Sequence, residues 1–188
     1  MVYNFENSKK TILEKSDKSS IGGWDAPIAN LCNLINKTDN YYTTSSCSGR
    51  VVLIIETFEK RSGLFLYRSH DLVSFDELKK ELEKVRSKTK DLIYFKQEPC
   101  VLAVACASVS DAQELVNKAR MAGWKRSGIT TTTKKNIVEL FGTEKIEMPI
   151  LNNGEILVSD DFLRLLIEQT NERIKRTWSK IDSFCKEL

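Results

Sequence analysis

Ten consecutive residues, Tyr41 to Arg50, read YYTTSSCSGR and concentrate the reactive chemistry of this chain. Thr43, Thr44, Ser45 and Ser46 supply hydroxyls, Cys47 a thiol, and Ser48, Gly49 and Arg50 follow. Short polar side chains leave backbone N–H groups accessible, Gly49 permits a positive φ, and Arg50 offers a planar fork, so a loop of this composition suits a phosphate or carboxylate. An ordinary polar turn has the same composition, and no Walker spacing is present. Cys47 is a nucleophile candidate whose one possible imidazole partner is His70, the only histidine of the chain; a buried inert thiol is the alternative. His70 itself follows a strand-like run and precedes Asp71, a place for either a loop residue or a site residue.

The elements that must position these groups can be read from periodicity. A loosely amphipathic helix is expected over Asn4 to Lys18, broken by SSIGG. From Asp25, a suitable N-cap, Ile28, Leu31, Cys32 and Ile35 recur at i, i+3, i+4 and i+7, one apolar helix face. YYTTSSCSGR then reads as a loop opening a strand at Val51–Ile55 that is apolar enough for burial on both faces, and a second strand over Gly63–Arg68 ends at His70. Ser74 and Glu77 form a capping box for a helix to Arg86. Strands at Leu92–Lys96 and Cys100–Ala107 flank Glu98-Pro99, and a second capping box at Ser110 and Gln113 opens a helix closed by Gly123. A hairpin over Ser127–Thr132 and Asn136–Phe141, a short strand near Glu155, and a helix over about 159–185 capped by Ser159 complete the chain. Strand pairs alternating with helices point to an α/β or α+β fold, one domain over 1–188 with a mixed, largely antiparallel sheet flanked by helices. No G-x-G occurs, which disfavours a Rossmann-type nucleotide site.

Composition narrows the classes further. With 188 residues, 41% hydrophobic and 29% charged, the chain has a globular balance rather than a disordered one. Its longest apolar run, Cys100 to Ala107, falls well short of the roughly 20 residues of a membrane span, and the N-terminus has no secretory stretch, so no membrane partner and a cytoplasmic location are expected. The five cysteines are scattered without a C-x-x-C pair, and a solitary histidine cannot build a multi-histidine centre, so neither a disulfide framework nor a metal site is expected. The Pro99-Cys100 pair enters an apolar run and reads as core. The net charge of +3 is small, but residues 111–135 carry an excess of four positive charges that includes Lys125, Arg126 and Lys134. With Tyr41, Tyr42 and Trp124 as aromatics able to stack an unpaired base, and with basic residues of the last helix, this makes a candidate RNA-binding surface; a solvated helix face explains the charges equally well.

Lys15, Asp17, Gly22 and Asp25 before a helix ending LIN, then TTSSCSGR, then Ser69-His70 at the end of a strand pair, resemble the tRNA wybutosine-synthesizing protein 3 family. So does EPCVLAVACASVSDAQELVNKARMAGWKRSGI, with its Glu-Pro strand and Gly-aromatic-x-x-Ser-Gly-Ile turn. The resemblance runs from about Lys15 to the final helix. It implies an enzyme that uses S-adenosyl-L-methionine to methylate N4 of a 4-demethylwyosine base made from guanosine 37, in the anticodon loop of tRNA-Phe. It also implies site positions: Asp25, Ser46, Cys47 and His70 for catalysis, and Ser45, Gly49, Arg50, Ser127 and Gly128 for substrate or cofactor.

In that reading Arg50 with Ser45 and Ser46 holds an anionic group, and Asp25 or His70 orients the base or takes its proton. Three positions depart from the family pattern: Phe65 stands in place of a Trp, Ala103 in place of a second His, and Phe141 in place of an Arg. The lost polar contacts point to a different wyosine derivative as substrate. The reading from another class is a noncatalytic RNA-binding module that kept the fold.

Overall fold

The computed structural model describes residues 4–14, 23–57 and 62–188; the expected C-terminal end of the first helix, and Lys15, Asp17 and Gly22, lie outside them. In chain order the elements are α1 (Phe5–Leu13), α2 (Ala26–Lys37), β1 (Tyr41–Cys47), β2 (Arg50–Ile55), β3 (Phe65–Ser69), α3 (Phe75–Arg86), β4 (Ile93–Glu98) and β5 (Val101–Cys106). They continue with α4 (Val109–Met121), β6 (Gly128–Thr131), β7 (Asn136–Phe141), β8 (Ile146–Asn152), β9 (Glu155–Ile156) and α5 (Asp160–Glu187). The class is α+β, as expected, but the strands form two antiparallel sheets rather than one. No helix among the described residues is long and apolar enough to cross a membrane.

The chain gathers into two compact units, each assembled from separate segments. The first takes the residues up to Ser48, Cys100–Thr143 and Thr177–Leu188; the second takes Gly49–Pro99 and Glu144–Arg176. In the first unit the sheet order is β1-β5-β7-β6. Ile28, Leu31, Cys32 and Ile35 of α2 and Ala112, Leu115, Val116 and Ala119 of α4 form its core with Leu102, Val104, Val138 and Leu140 of the sheet. Trp124 joins them, its ring 5.5 Å from that of Phe184 and its Nε1 donating to the Lys180 carbonyl. Each fully buried Leu or Ile contributes about 1.5–3 kcal/mol. In the second unit the order is β3-β2-β4-β8-β9, with Val51, Leu53, Ile93 and Phe95 buried in the strands and Leu78, Leu82 and Val85 in α3.

Three expectations are corrected. YYTTSSC is not a loop but strand β1, paired antiparallel with β5 from Tyr41 opposite Cys106 to Cys47 opposite Val101, with a bulge between Thr43 and Ser45. The N-cap of α4 is Ser108, whose hydroxyl accepts from Asp111 N, not Ser110. Pro149 lies inside a seven-residue strand, β8, where only a short strand further on was expected.

Replacing Ser108 by Ala is expected to cost about 1 kcal/mol, the usual value of an N-cap, and Ser110→Ala less than about 0.5 kcal/mol; urea unfolding of both variants checks the boundary. Burial pushes the Cys32 thiol up to about 11, Cys106 up to about 12 and Cys100 well above its ordinary range. Since the thiolate is the reactive form, a thiol reagent at about pH 8 should spare these three cysteines in the folded chain and label them only after denaturation. Mass spectrometry of the labelled chain reads the result.

Candidate functional site

β1 lies at the edge of its sheet, so one side of its backbone has no strand partner. Helix α2 supplies partners instead. Asn36, near the helix C-terminus, accepts from Thr43 N through Oδ1 at 2.7 Å and donates to Thr43 Oγ1 at 3.0 Å. Asp25, at the other end, accepts from Ser48 N through Oδ2 at 2.7 Å. Asp25 occupies the N-cap position of α2 but makes no side-chain cap bond there. Its carboxylate reaches instead for Ser48, the residue just after β1.

That bond shapes the bend after β1. Ser48 is buried, and its Oγ has no hydrogen-bond partner among the described residues. Gly49 follows at φ 94°, the left-handed conformation that the sequence assigned to it. An unpaired buried hydroxyl costs about 1–3 kcal/mol, so Ser48 Oγ is a ready donor and acceptor for a ligand.

The alternation of β1 divides the remaining hydroxyls. Ser46 is opposite the buried Leu102 and hydrogen-bonds the Cys32 thiol of α2. Ser45 is exposed, in one cross-strand row with Ala103, Glu139 and Gly128. Cys47 is half-buried, in the next such row with Val101 and Phe141. Within this unit the sheet therefore brings Ser45, Cys47 and Gly128 onto one half-exposed face, together with Ala103 and Phe141. It does not bring Ser127 into that role, since this buried hydroxyl donates to the Trp124 carbonyl at 2.6 Å and the Ser127 carbonyl accepts from Arg120. A Cβ on Gly128 would meet nothing within 4 Å, so no steric need for glycine exists there.

In the second unit Arg50 is not an open fork. Its Nε donates to Glu98 Oε2 at 2.5 Å, and its guanidinium lies 5.1 Å from the Phe65 ring centre. A ligand anion at Arg50 would have to compete with Glu98 for the guanidinium. His70 is half-buried in the bend directly after β3.

The RNA-binding expectation is corrected in part. Lys125, Arg126 and Lys134 are exposed, but the aromatics meant to stack a base are core residues: Tyr41 is 6%, Tyr42 0% and Trp124 1% exposed, and Tyr42 packs on Phe5. Several basic residues of α5 are engaged locally, Arg173 and Arg176 with Glu144, Lys180 with Thr143, and Arg164 over the Phe75 ring. Sequence reasoning missed Ser48 and Asn36, both ordinary polar residues whose weight appears only once β1 is known to be an edge strand.

Comparison with known proteins identifies what these units belong to. The family model described as Methyltransferase TYW3 matches residues 7–188. The tRNA wybutosine-synthesizing protein 3 homolog of Xenopus laevis is 35% identical over 186 residues, with 96% of this chain and 72% of the relative covered. The tRNA(Phe) 7-((3-amino-3-carboxypropyl)-4-demethylwyosine(37)-N(4))-methyltransferase of Methanocaldococcus jannaschii is 34% identical over 175 residues, with 91% and 89% covered. Among solved structures, the PH1069 protein from Pyrococcus horikoshii superposes with a TM-score of 0.86 at 31% identity, over 97% of this chain and 93% of that one. With a family match over nearly its whole length, this chain belongs to the methyltransferase TYW3 family.

Proposed function

We propose that this chain transfers a methyl group from S-adenosylmethionine to N4 of a 4-demethylwyosine-type base at position 37 of tRNA(Phe), next to the anticodon. A cytoplasmic location goes with that substrate. The observation that carries the reading is similarity along nearly the whole chain to proteins named for this reaction.

The residues of the β1 bend fit the donor. S-adenosylmethionine, when bound, supplies an electrophilic methyl on a cationic sulfur and carries an ammonium group. The Asp25 carboxylate matches the positive charge, and the unpartnered Ser48 Oγ offers a hydrogen bond in the same bend, whose backbone Gly49 turns. In the half-exposed row through Ser45, Ala103, Glu139 and Gly128, the small Ser45 and Ala103 leave room against which a flat tricyclic base can lie.

A ring nitrogen is nucleophilic enough to need no covalent enzyme intermediate, so Cys47 is not required as a nucleophile. The protein has to hold that nitrogen in line, keep water away and accept one proton. Asp25 is the proposed proton acceptor, with His70 the other candidate that the family resemblance supplies.

Incubating the chain with S-adenosylmethionine and tRNA(Phe) that bears the demethylated base should add one methyl to the nucleoside at position 37, read by mass spectrometry. Asp25→Asn keeps an oxygen for Ser48 N while removing the charge, so it should leave the fold intact and lower kcat/KM by about 10²-fold or more. Full activity in the Asn variant removes Asp25 from the chemistry. Binding of tRNA without binding of S-adenosylmethionine by the unaltered chain would leave only the noncatalytic reading.

A further inference from the structure

The half-exposed face of the first unit's sheet carries one charge that the fold does not use. Along β7, Val138 and Leu140 belong to the core, so Ile137, Glu139 and Phe141 share the opposite face, and all three are half-buried. Across the sheet Glu139 stands level with Gly128 on β6 and Ala103 on β5, and Ala103 stands level with Ser45 on β1. One end of this face is shut, because Tyr42 and Ala105 are fully buried and Phe5 of α1 packs on the Tyr42 ring. From the row of Ala103 onward it is partly open to solvent.

Glu139 is the only charged residue in the paired rows of this face. Its carboxylate has no hydrogen bond and no ion pair among the described residues. The second unit's sheet treats its carboxylates differently, answering Glu98 with Arg50 and Glu147 with Lys96. A half-buried carboxylate beside Ile137 and Phe141 loses part of its hydration and gains no partner in return, so it does not stabilise the fold. A ligand that brings positive charge to this face restores the balance.

The proposed reaction brings that charge. As the lone pair of the ring nitrogen forms the new N–C bond, the C–S bond breaks and its electron pair stays on sulfur, which becomes a neutral thioether. The positive charge has then moved from sulfur to the tricyclic ring, and it stays there until the base gives up one proton. Negative charge fixed beside the ring favours this stage over the neutral base that entered. A flat ring resting on Ala103, in the middle of the row, has Glu139 one strand spacing away, about 5 Å.

We propose that Glu139 is a further catalytic residue, which touches the base and stabilises the positive charge it acquires as the methyl arrives, the proton going to a separate acceptor. The inference rests on the proposed methyl transfer and names the group that holds the charge.

The test has an arm without turnover and an arm with it. In the first, fluorescence anisotropy compares two anticodon stem-loops that differ only at position 37, one with guanosine and one with 7-methylguanosine, whose ring carries a positive charge at mildly acidic pH. At low salt the full chain should prefer the charged loop about fivefold, and Glu139→Gln should reduce that preference to less than about twofold without weakening the uncharged complex. In the second, Glu139→Gln should lower kcat for tRNA(Phe) bearing the demethylated base about 10²-fold, with KM changed less than about threefold. Glu139→Asp keeps the charge and should recover part of kcat. Thermal unfolding separates a structural role, since loss of an unpaired carboxylate should not lower Tm.

A chain that binds the two loops alike, or neither of them, overturns the proposal, as does an undiminished kcat in Glu139→Gln or a loss of kcat that comes with a lowered Tm. A Glu139-dependent preference for the charged loop in a chain that transfers no methyl keeps the charge-holding role and sinks the proposed reaction. Methyl transfer that Glu139→Gln leaves untouched does the reverse.

Discussion

Two side chains at opposite ends of one helix bind the backbone of one strand, and the arrangement of the first unit follows from that. Asn36 takes the Thr43 N–H and Asp25 the Ser48 N–H. The two pairs are compatible because the lengths agree: the rise of a helix from residue 25 to residue 36 and the extension of a strand from 43 to 48 are each about 16 Å. An edge strand left unpaired is a template for unwanted association. Here one N–H of β1 and one just past its end are taken by side chains of the chain's own helix and its N-cap. The bond to Asp25 is charge-assisted, of the class that contributes about 1.5–3 kcal/mol, and it fixes where β1 must end.

Ending the strand there creates the chemistry. Ser48, with its N–H taken by Asp25, keeps a buried hydroxyl that no group among the described residues answers, and Gly49 turns the chain at a positive φ. The carboxylate and the orphan hydroxyl are thus joined through a single backbone bond, so neither can shift without the other. A site residue that is also a structural tie is pre-organised at no extra entropic cost. Substitution of Asp25 by a residue without an acceptor oxygen therefore disturbs strand and site together, whereas Asn separates the two.

Legibility in the sequence followed how much each element depends on its neighbours. The apolar stripe of α2 is local, and Ile28, Leu31, Cys32 and Ile35 are all buried as their spacing requires. The Ser74 cap of α3 is local too, and its hydroxyl accepts from Glu77 N. β1 was hidden because its paired β5 residues carry the apolar signal while its own Thr and Ser residues look like a turn. Pro149 concealed β8 because a proline argues against a strand interior, and it lies within that seven-residue strand. The reactive string itself was readable, yet its division into an inward Ser46 and an outward Ser45 depends on a bulge at Thr43/Ser45 that no local pattern announces. Two neighbouring serines between Ala107 and Asp111 offered equally good caps, and only backbone geometry chose Ser108 over Ser110.

Misplacing the aromatics had a different cause. Tyr42 and Trp124 lie beside polar and basic residues in the sequence, which made them look like surface stackers, but strand alternation and the turn after α4 carry both inward. Phe65 sits in an equally apolar neighbourhood, Leu64 to Tyr67, and would pass for core. What exposes it is the edge position of β3 together with two arginines that occupy the ring without covering it. The second sheet is sealed on both faces at its centre, where the successive Val51, Val52 and Leu53 are all fully buried, whereas the first leaves Ser45, Cys47 and Ala103 partly exposed on one face. In the first unit that face carries small side chains, a thiol and a carboxylate, suited to holding a flat ring near a reacting atom. In the second the strands pair their charges across the sheet, Arg50 with Glu98 and Lys96 with Glu147.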